Sequence, residues 1–472
     1  MRDGLLVGLA RALVSATCLW SGFRAVSDDD YSRLVIAARF AASPSLDPSG
    51  TSWLPLPFWA YGAPMALLGD SLAVARGVAF CLGVASSVLV WGAAGLLGLT
   101  PAAALLAALG AVLLPYGAWL SVATVPEAPC AALILFGVVS LAREEARLRL
   151  WGALALGAAC FCRYEAWAPA LVFAAVTGAQ ALRSRRRALG LAALLALLPI
   201  AAWLLHGVVR HGDALFFVAR VSQYRAALGR PPAGLLQASL DTLGALVRFE
   251  PELAAVTVVA LCFSVGKGRW PFTRAALGPI LALAALVLFL IVAAASGGSA
   301  THHPERALLP VHWFSALLAA GLLTKLAQAG TGRWWVPVLV LPLAIAGNLL
   351  LRPTLRDSFT DRGEEEQVGS LLRHVGATDV ALDTDDFGYF AVQAALGHAK
   401  SQPLYDLDPR SPALPRAATT GELAARLRER GARWLVTARS RALLAQPLGK
   451  ARAVTQRLSV LELEPAALSA AR

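Results

Sequence analysis

The chain has 472 residues, 57% of them hydrophobic and only 15% charged, with a mean hydropathy of +0.61. Soluble domains carry about a quarter charged residues, so a wholly water-soluble protein is excluded and most of this chain must face lipid. The net charge of +12 comes from 42 Lys+Arg against 30 Asp+Glu. These cations fall in short clusters between apolar segments, the pattern of positive-inside loops and not of a nucleic-acid footprint; no nucleic-acid partner is expected.

About eleven segments have the length and apolarity of a membrane span, which needs roughly 20 residues. The first runs from Leu5 to Phe23. Arg2 precedes it and Arg11 interrupts it, with no good small-residue cleavage site after it, so it reads as an uncleaved span whose Arg11 snorkels toward the cytoplasm. A long loop follows from Arg24 to Asp70. Within it, Tyr31–Phe40 is predicted to form a short helix. In TSWLPLPFW, Thr51–Trp59, the aromatics alternate with Pro55 and Pro57. Proline keeps this stretch from spanning, and Trp53, Phe58 and Trp59 suit the headgroup level, so helices lying flat on the outer membrane face are expected.

Spans are then expected near 71–96, 102–122 and 129–142. Residues 151–182 allow two short spans broken at Arg163–Glu165. Further spans are expected near 188–206, 252–266, 276–296, 307–324 and 335–352. The six cysteines, Cys18, Cys81, Cys130, Cys160, Cys162 and Cys262, all lie in apolar segments and show neither a disulfide framework nor zinc spacing.

Loop charge sets the orientation. Arg143, Arg147 and Arg149 share one loop, Arg183 and Arg185–Arg187 the next of the same parity, then Lys267, Arg269 and Arg274, then Lys325 and Arg333. All face the cytoplasm if Arg163–Glu165 is a true turn. The acidic string Asp28–Asp30, Glu127, the Arg163–Glu165 turn, the His302–Arg306 loop and the tail then face outward. Beyond 352 the composition becomes that of a soluble domain. Helices are predicted at Glu364–His374 and Glu422–Arg430, and strands at Val380–Asp383, Trp434–Thr437 and Ser459–Glu462, with Asp385 or Asp386 capping a further helix. The expected architecture is therefore an α-helical polytopic membrane protein, residues 1–352, with a small C-terminal α/β domain at 353–472 on the extracytoplasmic side.

Ionisable residues gather at the outer face. Asp28, Asp29 and Asp30 repel one another, and such a cluster suits either a general base or a divalent ion held by Asp28, Asp30 and Glu127. Glu127 sits in TVPEAP at the end of a span; Arg163 and Glu165 interrupt an apolar stretch in CRYEAW. Charged residues at membrane depth are functional candidates, though Arg163 and Glu165 could simply pair. In SGGSATHHPER, His302, His303 and Arg306 stand just before a span, where cations can hold a lipid phosphate. No P-loop, nucleophile elbow, zincin or dinucleotide pattern occurs.

The layout resembles the GT-C superfamily of lipid-linked glycosyltransferases, which includes protein O-mannosyltransferases and aminoarabinose transferases. The likeness rests on SDDDY in the first outer loop, Glu127 after the third span, the Arg163–Trp167 string, and Arg306 before a late span. The resemblance implies transfer of a sugar from a polyprenyl phosphate to a hydroxyl acceptor (glycan, lipid or protein) at the extracytoplasmic face of a bacterial cell membrane. It assigns the base to Asp29 or Asp28 and sugar or acceptor contact to Asp30 and Glu127. Phosphate binding falls to Arg306, Arg163, His302 and His303, with Tyr31 and Glu165 in support. No cofactor is required beyond the divalent ion already considered. The sequence departs from the superfamily in having Leu54–Pro57 where relatives carry His-Pro-Pro, and Trp334–Trp335 is followed by Val336 rather than the acidic residue of a sequon-reading motif. The competing reading is a lipid or polysaccharide transporter, or a non-catalytic membrane subunit of surface-glycan assembly. It predicts polar residues along a path through the bundle.

Overall fold

The computed structural model describes residues 2–229, 232–266, 274–298, 303–328, 359–410 and 415–471. The expected span at 335–352, His302 and the Trp334–Val336 string lie outside these residues. Contacts divide the chain into two compact units, one of Met1–Phe23, Gly50–Leu56 and Ala79–Ser358, the other of Arg24–Ser49, Pro57–Val78 and Phe359–Arg472.

The first unit is a helical bundle. It holds α1 (Arg2–Trp20), most of α4 (Leu72–Leu96), α5 (Pro101–Leu113), α6 (Pro115–Leu120), α7 (Glu127–Val139), α8 (Ala146–Cys160) and α9 (Trp167–Ser184). It continues through α10 (Arg187–His211), α11 (Phe216–Ala227), α12 (Leu235–Arg248), α13 (Pro251–Gly266), α14 (Arg274–Ala295), α15 (Pro304–Ala307) and α16 (Leu309–Gln328). Five described helices, α1, α4, α10, α14 and α16, are long and apolar enough to cross a membrane. Exposed Leu194, Leu198, Leu205, Leu281 and Leu288 on two of them are what lipid-facing surfaces require.

Small residues bring helices close. A Cβ on Gly152 would collide with Ser140, and one on Gly137 with Leu156, so α7 and α8 meet at backbone distance. Arg143 closes the end of α4, donating from Nε to the Leu96 carbonyl at 2.7 Å and from Nη2 to Gly95 at 2.9 Å.

Most expected spans are present as helices, with informative differences. The span expected at 102–122 breaks at Leu114, because Pro115 starts α6 and cannot continue α5. The break at Arg163–Glu165 is a real turn, a 3-10 segment of Tyr164–Ala166 between α8 and α9. The helices α11 and α12 were not expected. The first carries Arg220 and Arg225 and the second has a half-polar face, so neither has the apolar length of a span. Arg11 does not snorkel: it is only 1% exposed and packs inside the bundle. Six free cysteines match the expected lack of disulfides.

The second unit contains α2 (Asp28–Ala42), α3 (Leu56–Leu68, from Pro57 onward), the start of α4, and the C-terminal segment with α17 (Gly363–His374), α18 (Tyr389–Leu396) and α19 (Thr420–Glu429). Its five-stranded sheet has the order β2-β1-β3-β5-β4, from β1 (Val380–Asp383), β2 (Ser401–Pro403), β3 (Trp434–Ala438), β4 (Gly449–Val454) and β5 (Leu458–Leu463). β1 pairs parallel with β2 and β3, while β5 is antiparallel to β3 and β4. Two apolar cores flank the sheet, one around Leu423, Leu427, Leu435 and Leu461, the other around Val368, Leu372, Val392, Val436 and Val460. α18 packs on both α17 and α2. Asp386 does not provide the N-cap of α18, which is Gly388; its Oδ1 instead accepts the Gly388 N–H at 2.8 Å.

Candidate functional site

In the second unit the three aspartates open α2, and each does something different. Ser27 is the N-cap, and the Asp30 carboxylate reaches back to accept the N–H groups of Val26 and Ser27, both at 3.1 Å. That is a capping box, and it buries Asp30 to 1% exposure. Asp28 is gripped by Arg362 in a two-pronged pair, Nε to Oδ1 at 2.8 Å and Nη2 to Oδ2 at 2.9 Å. Asp29 is exposed, and no hydrogen bond or ion pair engages its carboxylate among the described residues.

Arg362, buried and preceding α17, also donates from Nη1 to Asp386 Oδ2 at 2.8 Å and to Glu365 Oε1 at 3.2 Å. Burial disfavours its charge, but the bonds to Asp28 and Asp386 outweigh that and raise its pKa. Next to it Glu366 receives Arg24 at 2.7 Å, Arg76, and the Tyr31 hydroxyl at 2.6 Å. Burial first, and the Glu366 carboxylate next, hold the Tyr31 phenol far above its ordinary range, so it serves as a donor. Arg33 lies over the Phe58 ring at 6.0 Å.

In the first unit Glu127 is the opening residue of α7 and is buried. Arg163 donates from Nη1 to Glu127 at 2.7 Å and from Nε to Glu165. The turn carrying them is pinned by aromatic contacts. The Tyr164 hydroxyl donates to the Ser52 carbonyl at 2.7 Å and accepts Trp203 Nε1–H at 3.1 Å, and its ring stacks on Phe217 at 4.3 Å. Beside the turn lies a cavity of about 300 Å³, lined mainly by apolar groups, among them Trp167, Phe217, Val218, Phe289 and Leu290, with Glu165 at its edge.

The last expected cluster belongs to this unit too. Arg306 and Glu305 are buried in the short helix α15, and His303 Nδ1 lies 3.0 Å from Glu305. Arg306, Glu305 and Glu127 all act electrostatically on Tyr116, and α15 packs against α7. Glu127, Arg163, Glu165 and Arg306 therefore share one neighbourhood of the bundle. Arg163 is matched by two carboxylates, and Arg306 is a second buried cation of the same bundle.

A divalent ion fits the acidic string poorly. Both oxygens of Asp28 face a guanidinium, and Asp30 is occupied by backbone amides.

Sequence reasoning missed Arg362, Glu366, Tyr116 and the fully buried Glu250 and Glu252. Glu250 accepts the Gly117 N–H at 3.2 Å. Arg362 carries no local signal, being one arginine among many in a polar stretch.

No protein-family model and no curated protein matches the sequence. Solved structures do. ArnT from Cupriavidus metallidurans bound to undecaprenyl phosphate superposes with a TM-score of 0.66 at 15% identity, covering 98% of each chain. The same protein in the apo state gives 0.63 at 14% identity, over 96% of this chain and 98% of ArnT. The fold is that of ArnT. The likeness covers nearly the whole chain and agrees with the expected mostly helical membrane architecture. The ArnT-like fold and the apolar helices make this chain an integral membrane protein.

Proposed function

We propose that the protein is a membrane glycosyltransferase that moves a sugar from a polyprenyl-phosphate donor to a hydroxyl acceptor at the extracytoplasmic face of a bacterial inner membrane. The observation that carries this reading is the ArnT fold over 98% of the chain, with one ArnT structure bound to undecaprenyl phosphate. Three features of the chain support it. The 300 Å³ groove beside Tyr164 and Trp167 offers an apolar surface for a prenyl chain. Arg306 offers a buried cation for the phosphate. In the other unit Asp29 is exposed and its carboxylate has no partner among the described residues, which suits the base that the resemblance implies.

The chemistry follows from the leaving group. The acceptor oxygen attacks the anomeric carbon while Asp29 takes its proton. The bond from that carbon to the phosphate oxygen breaks, and the electron pair leaves with the polyprenyl phosphate. A phosphate is stable as an anion, so no general acid is needed; Arg306 stabilises the charge that develops there. Glu127 and Glu165, with Arg163 between them, form a net negative group suited to the positive charge that grows on the sugar ring. Asp28 and Asp30 hold the first turn of α2 in place, and no metal step is required. The tail after Arg352 would lie on the extracytoplasmic side, as loop charge implies.

Mass spectrometry of surface glycans and of the polyprenyl-phosphate pool, with the protein present and deleted, tests the reading. Deletion should remove one glycan substituent and let one polyprenyl-phosphate sugar accumulate. Unchanged glycans and an unchanged pool would count against it. Accumulation of whole glycans on the cytoplasmic side would favour a transporter instead.

A further inference from the structure

We propose that Arg362 is a positioning residue for the acidic string: it holds Asp28 in a two-pronged grip and thereby leaves Asp29 as the one carboxylate of the three that projects outward, open to an acceptor. The catalytic role it serves rests on the glycosyl-transfer reading; the arrangement itself does not.

The three carboxylates are adjacent in sequence, and all three would compete for the same proton if they were equivalent. The structure makes them unequal. Asp30 is spent on two backbone N–H groups, and Asp28 on two nitrogens of one guanidinium. A planar fork matched to a carboxylate fixes both distance and plane, which a lysine cannot do. Arg362 is itself immobilised. Its remaining nitrogen, Nη1, bonds Asp386 and Glu365, and Asp386 is fixed in turn by the Gly388 N–H. A Cβ at Gly388 would come within 2.9 Å of Arg362 Nη1 and of Asp386 Oδ1, so a side chain there would push these ends aside. The C-terminal segment thus reaches into the first turn of α2, where each position of the turn is fixed and Asp29 projects outward.

Carboxylate mapping tests the arrangement without any assumption about activity. The purified full-length protein in detergent is treated with a water-soluble carbodiimide and an amine, then digested with trypsin. Cleavage after Arg24 and Arg33 releases one peptide with all three aspartates, and fragmentation locates the label. In the wild type the label should fall on Asp29 and spare Asp28 and Asp30. In Arg362→Gln it should appear on Asp28 as well. Arg362→Lys, which keeps the charge but can grip only one oxygen, should show an intermediate level; it carries the test if the glutamine variant does not fold. Equal labelling of Asp28 and Asp29 in the wild type, or an Asp28 still protected in Arg362→Gln, would overturn the proposal.

The second arm is turnover. Arg362→Gln should lower kcat by ~10²-fold, the effect of a small misplacement of a reacting group, with the KM for the polyprenyl-phosphate sugar within about two-fold. Arg362→Lys should recover part of the loss. Full turnover in Arg362→Gln would remove the positioning role. A wild type that shows the expected labelling but transfers no sugar would overturn the glycosyl-transfer reading and leave the arrangement standing.

Discussion

In the helical bundle, a guanidinium sits between two carboxylates among aromatic rings; in the sheet-bearing unit, a guanidinium also gathers carboxylates, but at the polar openings of helices. Arg163 with Glu127 and Glu165 is buried beside a groove of phenyl and indole groups. Arg362, itself buried, meets the partly exposed Asp28 and Asp386 and the buried Glu365, and Asp386 also accepts a backbone N–H from Gly388. The same pairing therefore does two different things. In the bundle it makes charge tolerable where water is scarce. In the other unit water competes, and the pairing chiefly sorts which carboxylate is free.

That contrast can be broken at Asp29 first. Asp29→Asn should lower transfer by ~10²–10⁴-fold, the usual worth of a general base, with no change in Tm, because its carboxylate is exposed and has no partner among the described residues. A variant with full activity would move the base elsewhere.

Arg163→Ala attacks the other pole. Removing one partner of a buried ion pair costs about 3–5 kcal/mol, so the melting temperature in detergent should fall by several degrees along with activity. If stability is unaffected, the bundle network is not what makes those carboxylates tolerable.

Arg306→Ala should cost ~10²–10³-fold in kcat, as losing a preorganised donor to a developing anion does. Filling the groove has a smaller effect: Ala293→Trp should raise the KM for the lipid donor by ~10-fold and leave kcat near its original value.

Acid pH separates the units most gently. Asp70 is held below the ordinary carboxylate range chiefly by His398, whose Nδ1 lies 3.5 Å from its Oδ2, with Arg373 adding to it and burial opposing. Burial also opposes the ionised form of Asp386, but the bonds from Arg362 and Gly388 win and lower it. A carboxylate depressed on folding contributes stability above its unfolded value, about 4, and loses it as the pH falls through the folded value. The sheet-bearing unit should therefore weaken below about pH 4, while Glu365, which burial raises, contributes in the opposite sense by favouring its protonated form. Asp70→Asn should flatten the acid limb of a Tm-against-pH curve.

Much of this was legible in the sequence. Apolar runs located most of the helices, and Arg clusters marked the turn at Arg163–Glu165, because a charge in a run of Ala and Leu has few places to go. The strands expected at Val380–Asp383 and Trp434–Thr437 are present, the second running to Ala438, whereas Gly449–Val454, with Lys450 and Arg452, was not readable. SDDDY marked the importance of α2, yet nothing local told Asp28 from Asp29. That distinction depends on Arg362, which is 334 residues away in sequence. Pairings over such distances leave no trace in spacing or composition. For the same reason Arg11 was misread: a lone arginine near the start of a span is expected to reach for water, and only the packing of neighbouring helices shows that it stays inside.

The most direct test of the central claim is transfer in a defined system. The purified protein is reconstituted in proteoliposomes with a panel of undecaprenyl-phosphate sugars and a bacterial envelope extract as acceptor, and release of free undecaprenyl phosphate is followed by mass spectrometry. The account predicts release from one sugar donor by the wild type and a loss of at least ~10²-fold with Asp29→Asn. Release that is equal in the two proteins, or absent from every donor with the wild type, would contradict it.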